Sequence, residues 1–309
     1  MRINLIDRYR GGFIGLAVGD SVGAAVEFQV PGTFAAVTDM IGGGVHDIEP
    51  GEWTDDTSMA LCLAESLLES DGFDANDQMQ RYLKWFREGY FSCRENSFGV
   101  GKMAEEALVQ FEETGDPYSG LNNPEKAGNG SLMRLLPIAL YYAGDVEQAI
   151  EYATKSSLTT HGATESIDAC RLFAHVLVQT VRGVEKEKLF GETLWPHRHQ
   201  LTEKVAEIAA GSYKTKEPPE IRASSYVVES LEAALWAFHR STSFEEGLLM
   251  TVNLGDDADT TGAIYGQLAG VYYGMAGIPR RWREQLKKRS LIMRTADHIY
   301  MKSDRPLDQ

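Results

Sequence analysis

Residues 253–278, NLGDDADTTGAIYGQLAGVYYGMAGI, join a dense acidic segment to a long segment without charge. Three carboxylates and two hydroxyls fall in the six positions 256–261, and positions 262–278 carry no charged residue. Carboxylates crowded in this way repel one another unless a cation neutralises them. No lysine or arginine lies between Phe244 and Arg280, so a bound cation is the natural candidate. Oxygen-only ligands favour a hard ion such as Mg²⁺ or Mn²⁺, with Ca²⁺ as a further possibility.

An EF-hand is the first alternative for such an acidic loop. With Asp257 as the first position of that loop, Asp259 and Gly262 fall on the third and the sixth. The twelfth position is Leu268, however, where the EF-hand needs a bidentate glutamate. The sequence therefore excludes an EF-hand, and further ligands must come from elsewhere in the chain.

Glycine recurs at every fourth residue in two segments that are far apart in the sequence. It occupies positions 262, 266, 270 and 274, and also positions 11, 15, 19 and 23. Each glycine costs roughly 1 kcal/mol of helix propensity relative to alanine, so close packing must offset the cost. We predict two helices, over residues 5–28 and 262–278, that pack tightly at the centre of an α-domain. Small residues at this spacing also occur in transmembrane helix pairs, but Gln267 and the glycines make the second segment less apolar than a typical span.

Helical periodicity continues through most of the chain, and alternating strand-like runs are scarce. Further helices are predicted over residues 54–70, 76–87, 100–111, 131–142, 146–156, 163–181, 201–210, 224–238, 244–252 and 281–299. Thr54 or Asp55 is the expected N-cap of the first of these. No Pro/Ser-rich linker divides the sequence. We predict an all-α fold that forms a single domain over residues 1–309.

The composition limits the class of protein and its partners. A hydrophobic content of 43% with 24% charged residues is typical of a soluble globular protein with an ample core. The net charge of −15 argues against nucleic acid or an anionic membrane as the main partner. Cys62, Cys93 and Cys170 are scattered and odd in number, which suits a reducing cytoplasm. Charged residues as early as Asp7 and Arg8 argue against a signal peptide.

A second cluster of acids and hydroxyls, EWTDDTS, occupies residues 52–58 and also opens an apolar helix. For one such cluster, helix capping and metal binding are equally good explanations. Two clusters of the same form favour metal binding, because carboxylates from both could bridge two hard cations about 3.5–4 Å apart. Such ions would orient a hydroxyl-rich or phosphate-bearing substrate and activate a water molecule.

Five blocks of sequence form a recognisable set. They are residues 19–23 (GDSVG) with Glu27, 53–57 (WTDDT), 128–134 (GNGSLMR), 160–162 (THG) and 255–260 (GDDADT). In this order they resemble the ADP-ribosylglycohydrolase family, which includes the hydrolase that removes ADP-ribose from dinitrogen reductase. The resemblance implies an all-α fold of that type, with a dinuclear Mg²⁺ or Mn²⁺ centre in a cleft. It also implies hydrolysis of the bond between C1″ of ADP-ribose and an acceptor.

The resemblance further implies roles for single residues. The metal ligands would be Thr54, Asp55, Asp56, Asp257, Asp259 and Thr260. The catalytic residues would be Glu27, Asp56 and Asp257, with Glu27 gating the site or acting as acid or base. Asp256 stands where relatives often have glycine and is not counted as a ligand. The residues alone allow a simpler interpretation of Glu27, as a solvated glutamate at a helix end.

The substrate-binding residues implied by the resemblance are Gly99, Gly101, Gly128, Asn129, Gly130, Ser131 and His161. Backbone N–H groups of the 128–130 segment would contact the pyrophosphate, and His161 would reach the phosphates or a ribose. From the residues alone, Asn129 and Ser131 are alternatively caps of the following helix. His161 is alternatively a hydrogen-bonded histidine of the core.

One block departs from the family pattern. Many bacterial relatives have Phe-Asp-Ile-Gly-Asn-Thr where this chain has FGVGKM at residues 98–103, so Gly99 replaces an aspartate implicated in arginine-linked substrates. Relatives that cleave serine-linked or O-acetyl-linked ADP-ribose also carry glycines in this loop. We expect a metal-dependent hydrolase that removes ADP-ribose from an acceptor, with protein arginine slightly favoured and O-linked ADP-ribose as the alternative.

The expected partner is an ADP-ribosylated protein or a small molecule that contains ADP-ribose. Two further alternatives are hydrolysis of a different metal-bound nucleotide or phosphate ester, and a non-catalytic protein that binds ADP-ribose. His197 and His199 could bind zinc, but no other histidine or cysteine stands near them, which favours an exposed loop.

Overall fold

Thirteen α-helices make up most of residues 3–189 and 200–303, which are the residues described by the computed structural model. The helices are α1 (Leu5–Gly23), α2 (Asp55–Glu69), α3 (Ala75–Glu88), α4 (Lys102–Thr114), α5 (Leu136–Tyr141), α6 (Val146–Leu158), α7 (Thr164–Val181), α8 (Glu203–Ala210), α9 (Val227–Arg240), α10 (Phe244–Val252), α11 (Ala258–Gly277), α12 (Arg280–Gln285) and α13 (Arg289–Lys302). Over those residues the β-structure amounts to three isolated bridges. The predicted all-α fold is confirmed. The prediction of an exposed loop at His197 and His199 falls on residues outside the described ranges.

The two glycine-striped helices, α1 and α11, form the central pair of the fold. Every residue from Gly11 to Gly23 in α1 and from Ala258 to Val271 in α11 is buried. Helices that are apolar on all sides belong in the interior, because neither has a face suited to water. The predicted close pair is confirmed.

The glycines of the two helices face one another in an antiparallel register. A methyl group added at Gly19 would overlap the carbonyl oxygen of Gly262, and one at Gly15 would overlap that of Gly266. Only a hydrogen atom fits between backbones at this separation. The same register brings the last turn of α1 beside the first turn of α11, so the acidic start of α11 lies next to Asp20.

Gln267 is the one amide of the apolar half of α11, and it anchors the segment that precedes α5. Its Oε1 accepts a hydrogen bond from the N–H of Leu136 (2.9 Å), and its Nε2 donates to the carbonyl of Met133 (2.6 Å). The predicted helix over 131–142 is therefore too long, since α5 begins only at Leu136. Bonds to Gln267 replace helical ones in residues 131–135, and Pro137 in the first turn has no N–H to contribute.

The predicted helix over 281–299 is also wrong as a single element, because α12 and α13 divide it. The N–H of Lys287 donates to the carbonyl of Gly51 (2.9 Å), which draws the backbone out of the helical path. Lys288 then adopts a left-handed conformation with φ 48° before α13 begins. The first predicted helix, over residues 5–28, also ends early: α1 stops at Gly23, and a 3₁₀ turn follows at Ala24–Val26.

No helix in the described ranges has both the length and the apolar character that crossing a bilayer demands. The glycine spacing of α11 thus serves a helix pair inside the protein.

Candidate active site

The first acidic cluster lies at the N-terminus of α2, where Asp20 of α1 organises it. The Asp20 carboxylate accepts hydrogen bonds from the N–H groups of Thr54 (2.9 Å) and Thr57 (3.1 Å). It also accepts the hydroxyl of Thr57 (2.6 Å) and lies 3.0 Å from that of Thr54. Asp20 therefore satisfies donors that the start of a helix leaves open. The prediction that Thr54 or Asp55 is the N-cap of α2 is confirmed for Thr54, although the side chain of Thr54 makes no capping hydrogen bond of its own.

The second acidic cluster lies at the start of α11 and is held from two sides. The N–H of Asp257 donates to the carbonyl of Ala223 (2.7 Å). Oδ2 of Asp257 accepts a hydrogen bond from Nδ2 of Asn129 (2.7 Å), so the side chain of Asn129 belongs to this cluster. These two contacts fix the backbone and the carboxylate of Asp257 separately.

Asp256 supports the site through its backbone. Its φ of 53° lies in the left-handed region, which favours glycine. The N–H of Asp256 donates to the carbonyl of Gln29 (2.8 Å), and its carbonyl accepts the N–H of Phe28 (2.6 Å). This pair of hydrogen bonds ties the chain just after Glu27 to the start of α11.

The two clusters meet at the hydroxyl of Thr54. Its Oγ1 lies 3.0 Å from Oδ2 of Asp56 and 3.4 Å from Oδ2 of Asp259, in addition to its contact with Asp20. A hydroxyl has a single hydrogen to donate, so it can satisfy only one of these three carboxylates. Oδ1 of Asp56 and Oδ1 of Asp259 are buried and have no hydrogen-bond partner among the described residues. Carboxylate oxygens of Asp20, Asp56 and Asp259 lie within 4.8 Å of one another.

Burial raises the pKa of every aspartate in these clusters. Desolvation is the largest cause at each, and it raises the pKa of Asp20 and Asp257 to about 6. The pKa values of Asp55, Asp56 and Asp259 rise well above the usual range, and neighbouring carboxylates are the next causes. Carboxylates packed so closely repel one another when ionised, and a bound cation would relieve this repulsion.

The donor set fits hard divalent cations. The side chains of Thr54, Asp55, Asp56, Asp257, Asp259 and Thr260 are all buried and offer oxygen alone. Asp20 is near enough to join them, yet both of its oxygens already accept hydrogen bonds from Thr54 and Thr57. We therefore assign Asp20 to the orientation of the ligand-bearing segment, as outer carboxylates do in metal sites.

Glu27 lies beside both clusters and is paired with a histidine that the motifs did not reveal. Its side chain is 7% exposed, and Oε2 lies 3.1 Å from Nε2 of His46. The charge of Glu27 contributes to the raised pKa of Asp55, Asp257 and Asp259. The contact with Glu27 is in turn the largest cause that raises the pKa of His46. The interpretation of Glu27 as a solvated glutamate at a helix end is wrong.

Gly99 lies against the first cluster, whereas Gly101 does not. Gly99 has a φ of 80°, and a β-carbon there would lie 2.7 Å from Oδ1 of Asp55 and 3.2 Å from Cβ of Thr54. Glycine is thus required by both the backbone conformation and the lack of space. Gly101 is exposed at the N-cap of α4, with open space where a β-carbon would stand.

The segment 128–131 and His161 form the opposite side of the site. A β-carbon at Gly130 would lie 2.7 Å from Cε1 of His161, so the ring packs directly on this backbone. The N–H of Gly128 donates to the carbonyl of Lys126 (2.9 Å) and is not available to an anion. Ser131 points inward, since its hydroxyl accepts from Ser157 (2.8 Å).

The alternative that Asn129 or Ser131 caps the following helix is wrong. The N-cap of α5 is Leu135, which makes no side-chain cap. Asn129 instead donates to Asp257, 128 positions away in the chain. Sequence reasoning missed His46, and it gave Asp20 no role although Asp20 lies in the 19–23 block and is a carboxylate inside an apolar glycine-striped helix.

Comparison with known proteins agrees with this fold. The family model described as ADP-ribosylglycohydrolase matches residues 1–308. ADP-ribosylarginine hydrolase Tri1 of Serratia proteamaculans is 37% identical over 96% of this chain and 79% of its own length. The ADP-ribosyl-dinitrogen reductase glycohydrolase of Rhodospirillum rubrum is 31% identical over 91% of this chain and 90% of its own. A solved structure described as an ADP-ribosylglycohydrolase-related protein complex matches with a TM-score of 0.86 and 45% identity, covering 97% of this chain and 99% of that one.

The chain therefore belongs to the ADP-ribosylglycohydrolase family. The resemblance carried by the five sequence blocks is confirmed. Family membership and the buried acidic triad of Asp20, Asp56 and Asp259 together indicate that the site uses metal.

Proposed function

We propose that this protein is a metal-dependent hydrolase that removes ADP-ribose from an acceptor, with the N-glycosidic bond to a protein arginine as the favoured linkage. The observation that carries the proposal is the meeting of two acidic clusters at Thr54, where Oδ1 of Asp56 and of Asp259 have no partner among the described residues. Relatives that are 37% and 39% identical bear the name ADP-ribosylarginine hydrolase, which supports arginine.

The proposed cofactor is a pair of Mg²⁺ or Mn²⁺ ions. Their ligands would be Thr54, Asp55 and Asp56 from the start of α2, and Asp257, Asp259 and Thr260 from the start of α11. Ions held there would supply Lewis-acid polarisation of a water molecule and of the ribose hydroxyls. Asn129 holds Asp257 in place, and Asp20 does the same for Thr54, so the ligand oxygens keep their orientation.

In the proposed reaction, water attacks C1″ of the distal ribose and the bond from C1″ to the acceptor nitrogen breaks. Glu27 accepts the proton of the attacking water and passes it to the leaving nitrogen, which gives ADP-ribose and an unmodified arginine side chain. The buried position of Glu27 beside both clusters supports its role as the base. In this proposal, Asp56 and Asp257 hold the attacking water and C1″ of the ribose in line with each other.

The remaining assigned residues surround the substrate. Asn129, Gly130 and His161 would lie along the diphosphate, with Gly128 and Ser131 shaping the segment from within. Gly99 and Gly101 would belong to the loop on the acceptor side. The sequence of this loop favours O-linked ADP-ribose as a second candidate, because Gly99 stands in place of an aspartate that would recognise arginine.

The test is release of free ADP-ribose from three substrates: an arginine-linked protein, a serine-linked peptide and O-acetyl-ADP-ribose. Each is assayed with Mg²⁺, with Mn²⁺ and with EDTA. We expect turnover of the arginine-linked protein with metal and none in EDTA. Full turnover in EDTA would contradict the role of metal, and faster cleavage of the O-linked substrates would establish the second candidate. Binding of ADP-ribose without turnover on any linkage would identify a non-catalytic binding protein.

We also propose that the protein acts in the cytoplasm on ADP-ribosylated proteins. The free thiols of Cys62, Cys93 and Cys170 support a reducing compartment.

A further inference from the structure

Arg134 is a fully buried cation on the His161 side of the site. Its relative exposure is 0%, and its guanidinium lies over the ring of Tyr82, with 4.6 Å between Cζ and the ring centroid. Its hydrogen-bond acceptors in the described chain are Met59, Thr159 and Thr160, none of which is a carboxylate. Burying a charge in this way is costly, so we expect Arg134 to do more than pack.

The shortest of these bonds leads to His161. A guanidinium nitrogen of Arg134 donates to Oγ1 of Thr160 at 2.7 Å, and the same Oγ1 lies 2.7 Å from Nδ1 of His161. A guanidinium can only donate, so the hydroxyl of Thr160 must accept from it. The hydroxyl of Thr160 still has its own hydrogen to donate, and Nδ1 of His161 is the acceptor within hydrogen-bond distance. If Nδ1 of His161 instead carried a hydrogen and donated it to Oγ1 of Thr160, the buried hydroxyl hydrogen of Thr160 would have no acceptor, which costs free energy.

The direction of these two bonds fixes the tautomer of the ring. If Nδ1 accepts the Thr160 hydrogen, a neutral His161 carries its own hydrogen on Nε2. Desolvation, assisted by the charge of Arg134, lowers the pKa of His161 to about 3, so the ring is neutral at physiological pH. The edge of the ring with Nε2 faces Gly130, where an added β-carbon would lie 3.0 Å from Nε2.

We propose that Arg134 and Thr160 are positioning residues that hold His161 as the neutral Nε2–H tautomer, so that the ring presents a hydrogen-bond donor beside Gly130. The matching group on the ligand is an oxygen that only accepts, and the diphosphate of ADP-ribose provides such oxygens. This identification of the ligand rests on the proposed function, whereas the tautomer does not. The neutral ring thus offers a hydrogen-bond donor without adding a positive charge of its own.

The test measures the tautomer directly. In the full-length protein labelled with ¹⁵N in its histidine rings, NMR distinguishes protonated from unprotonated ring nitrogens, and His161→Gln assigns the signals. We expect Nδ1 of His161 to be unprotonated and Nε2 protonated between pH 6 and 8. Thr160→Val removes the hydroxyl and should release the ring into a mixture of tautomers. Thr160→Ser keeps the hydroxyl and should retain the single tautomer.

Calorimetry with ADP-ribose on the metal-loaded protein supplies the second measurement. We expect Thr160→Val and Arg134→Met to weaken binding roughly tenfold, as loss of one hydrogen bond to a charged group does, and Thr160→Ser to restore it. An Nδ1–H tautomer in the wild-type protein would overturn the proposal, whatever the variants do. Unchanged tautomer and affinity in Thr160→Val would overturn it as well. Failure of the proposed function is a separate outcome, namely that the wild-type protein releases ADP-ribose from no linkage.

Discussion

Asp20, on α1, accepts a hydrogen bond from the hydroxyl of Thr57, on α2, at 2.6 Å. The contact joins the central helix pair to the helix that begins with Thr54, Asp55 and Asp56. It makes the position of three assigned ligands depend on a residue that offers the metals no free oxygen.

Replacing Asp20 by alanine should therefore damage both stability and metal binding. The buried donors of Thr54 and Thr57 lose their acceptor, at a cost of about 2–3 kcal/mol. Affinity for Mn²⁺ should fall roughly 10- to 100-fold, as it does when an orienting group is removed from a metal site. Thermal unfolding and Mn²⁺ titration calorimetry measure the two effects. Asp74→Ala is the matched control, because Asp74 caps α3 away from the site and should cost only about 1 kcal/mol with no loss of metal affinity.

The stability of the metal-free protein should fall as the pH rises. The pKa values of Asp20 and Asp257 are raised to about 6, and burial also raises those of Asp55, Asp56 and Asp259 well above their usual range. The folded state then binds more protons than the unfolded state between the ordinary aspartate pKa and these raised values, so unfolding becomes easier as the groups ionise. Melting temperatures in EDTA should therefore drop from about pH 4 to about pH 7, the range set by the ordinary aspartate pKa and by the pKa of about 6 for Asp20 and Asp257.

Saturating Mn²⁺ should reverse that trend, since the bound ions stabilise the ionised carboxylates. The gain in melting temperature on adding Mn²⁺ should thus be larger at pH 8 than at pH 6. An equal gain at both values would mean that the clusters are already ionised in the metal-free protein.

Gly19→Ala should prevent α1 and α11 from packing. The new methyl group would overlap the carbonyl of Gly262, and a backbone cannot move aside as a flexible side chain does. We expect a loss of about 3 kcal/mol or more, or no folded protein at all. Gly101→Ala is the control, because nothing stands where its β-carbon would be. Circular dichroism and denaturant unfolding distinguish the two, and a stable Gly19→Ala protein would refute the close register.

Gly99→Ala should impair the site more than the fold. The φ of 80° disfavours alanine by roughly 1 kcal/mol, and the β-carbon would push on Oδ1 of Asp55. We expect at least a tenfold loss of Mn²⁺ affinity and of ADP-ribose release, with little change in melting temperature. Gly99→Asp should lose more and should not favour arginine substrates, because its larger side chain meets the same obstacle. Wild-type Mn²⁺ affinity in Gly99→Ala would show that the 98–101 loop does not press on the site.

Much of the fold could be predicted because the deciding signals are local in sequence. The glycines at every fourth position of residues 11–23 and 262–274 have no explanation except close packing, and the pair forms as expected. The two acidic clusters could also be recognised from the sequence, because each combines carboxylates and hydroxyls at the start of a helix. Their convergence depends in addition on Asp20, which the antiparallel register places beside the start of α11 and which binds the start of α2.

The rest depended on contacts between distant residues. Asp20 and His46 carry no local pattern that ties them to Thr57 or Glu27, so their roles appear only once α1, α2 and the 42–48 loop are placed. Gln267 shortens α5 through bonds to a segment 131 residues earlier, which helical periodicity cannot anticipate. The break at Lys288 follows likewise from a bond to Gly51.

The pairing of α1 with α11 also bears on how the protein is made. The two halves of the metal site are separated by about two hundred residues, and loop closure over such a distance slows folding. A nascent chain that has emerged only as far as α10 exposes the glycine stripe of α1 without its partner. We therefore expect the ability to retain Mn²⁺ to arise abruptly, after α11 has left the ribosome, and the unpaired α1 to be the surface most in need of a chaperone until then.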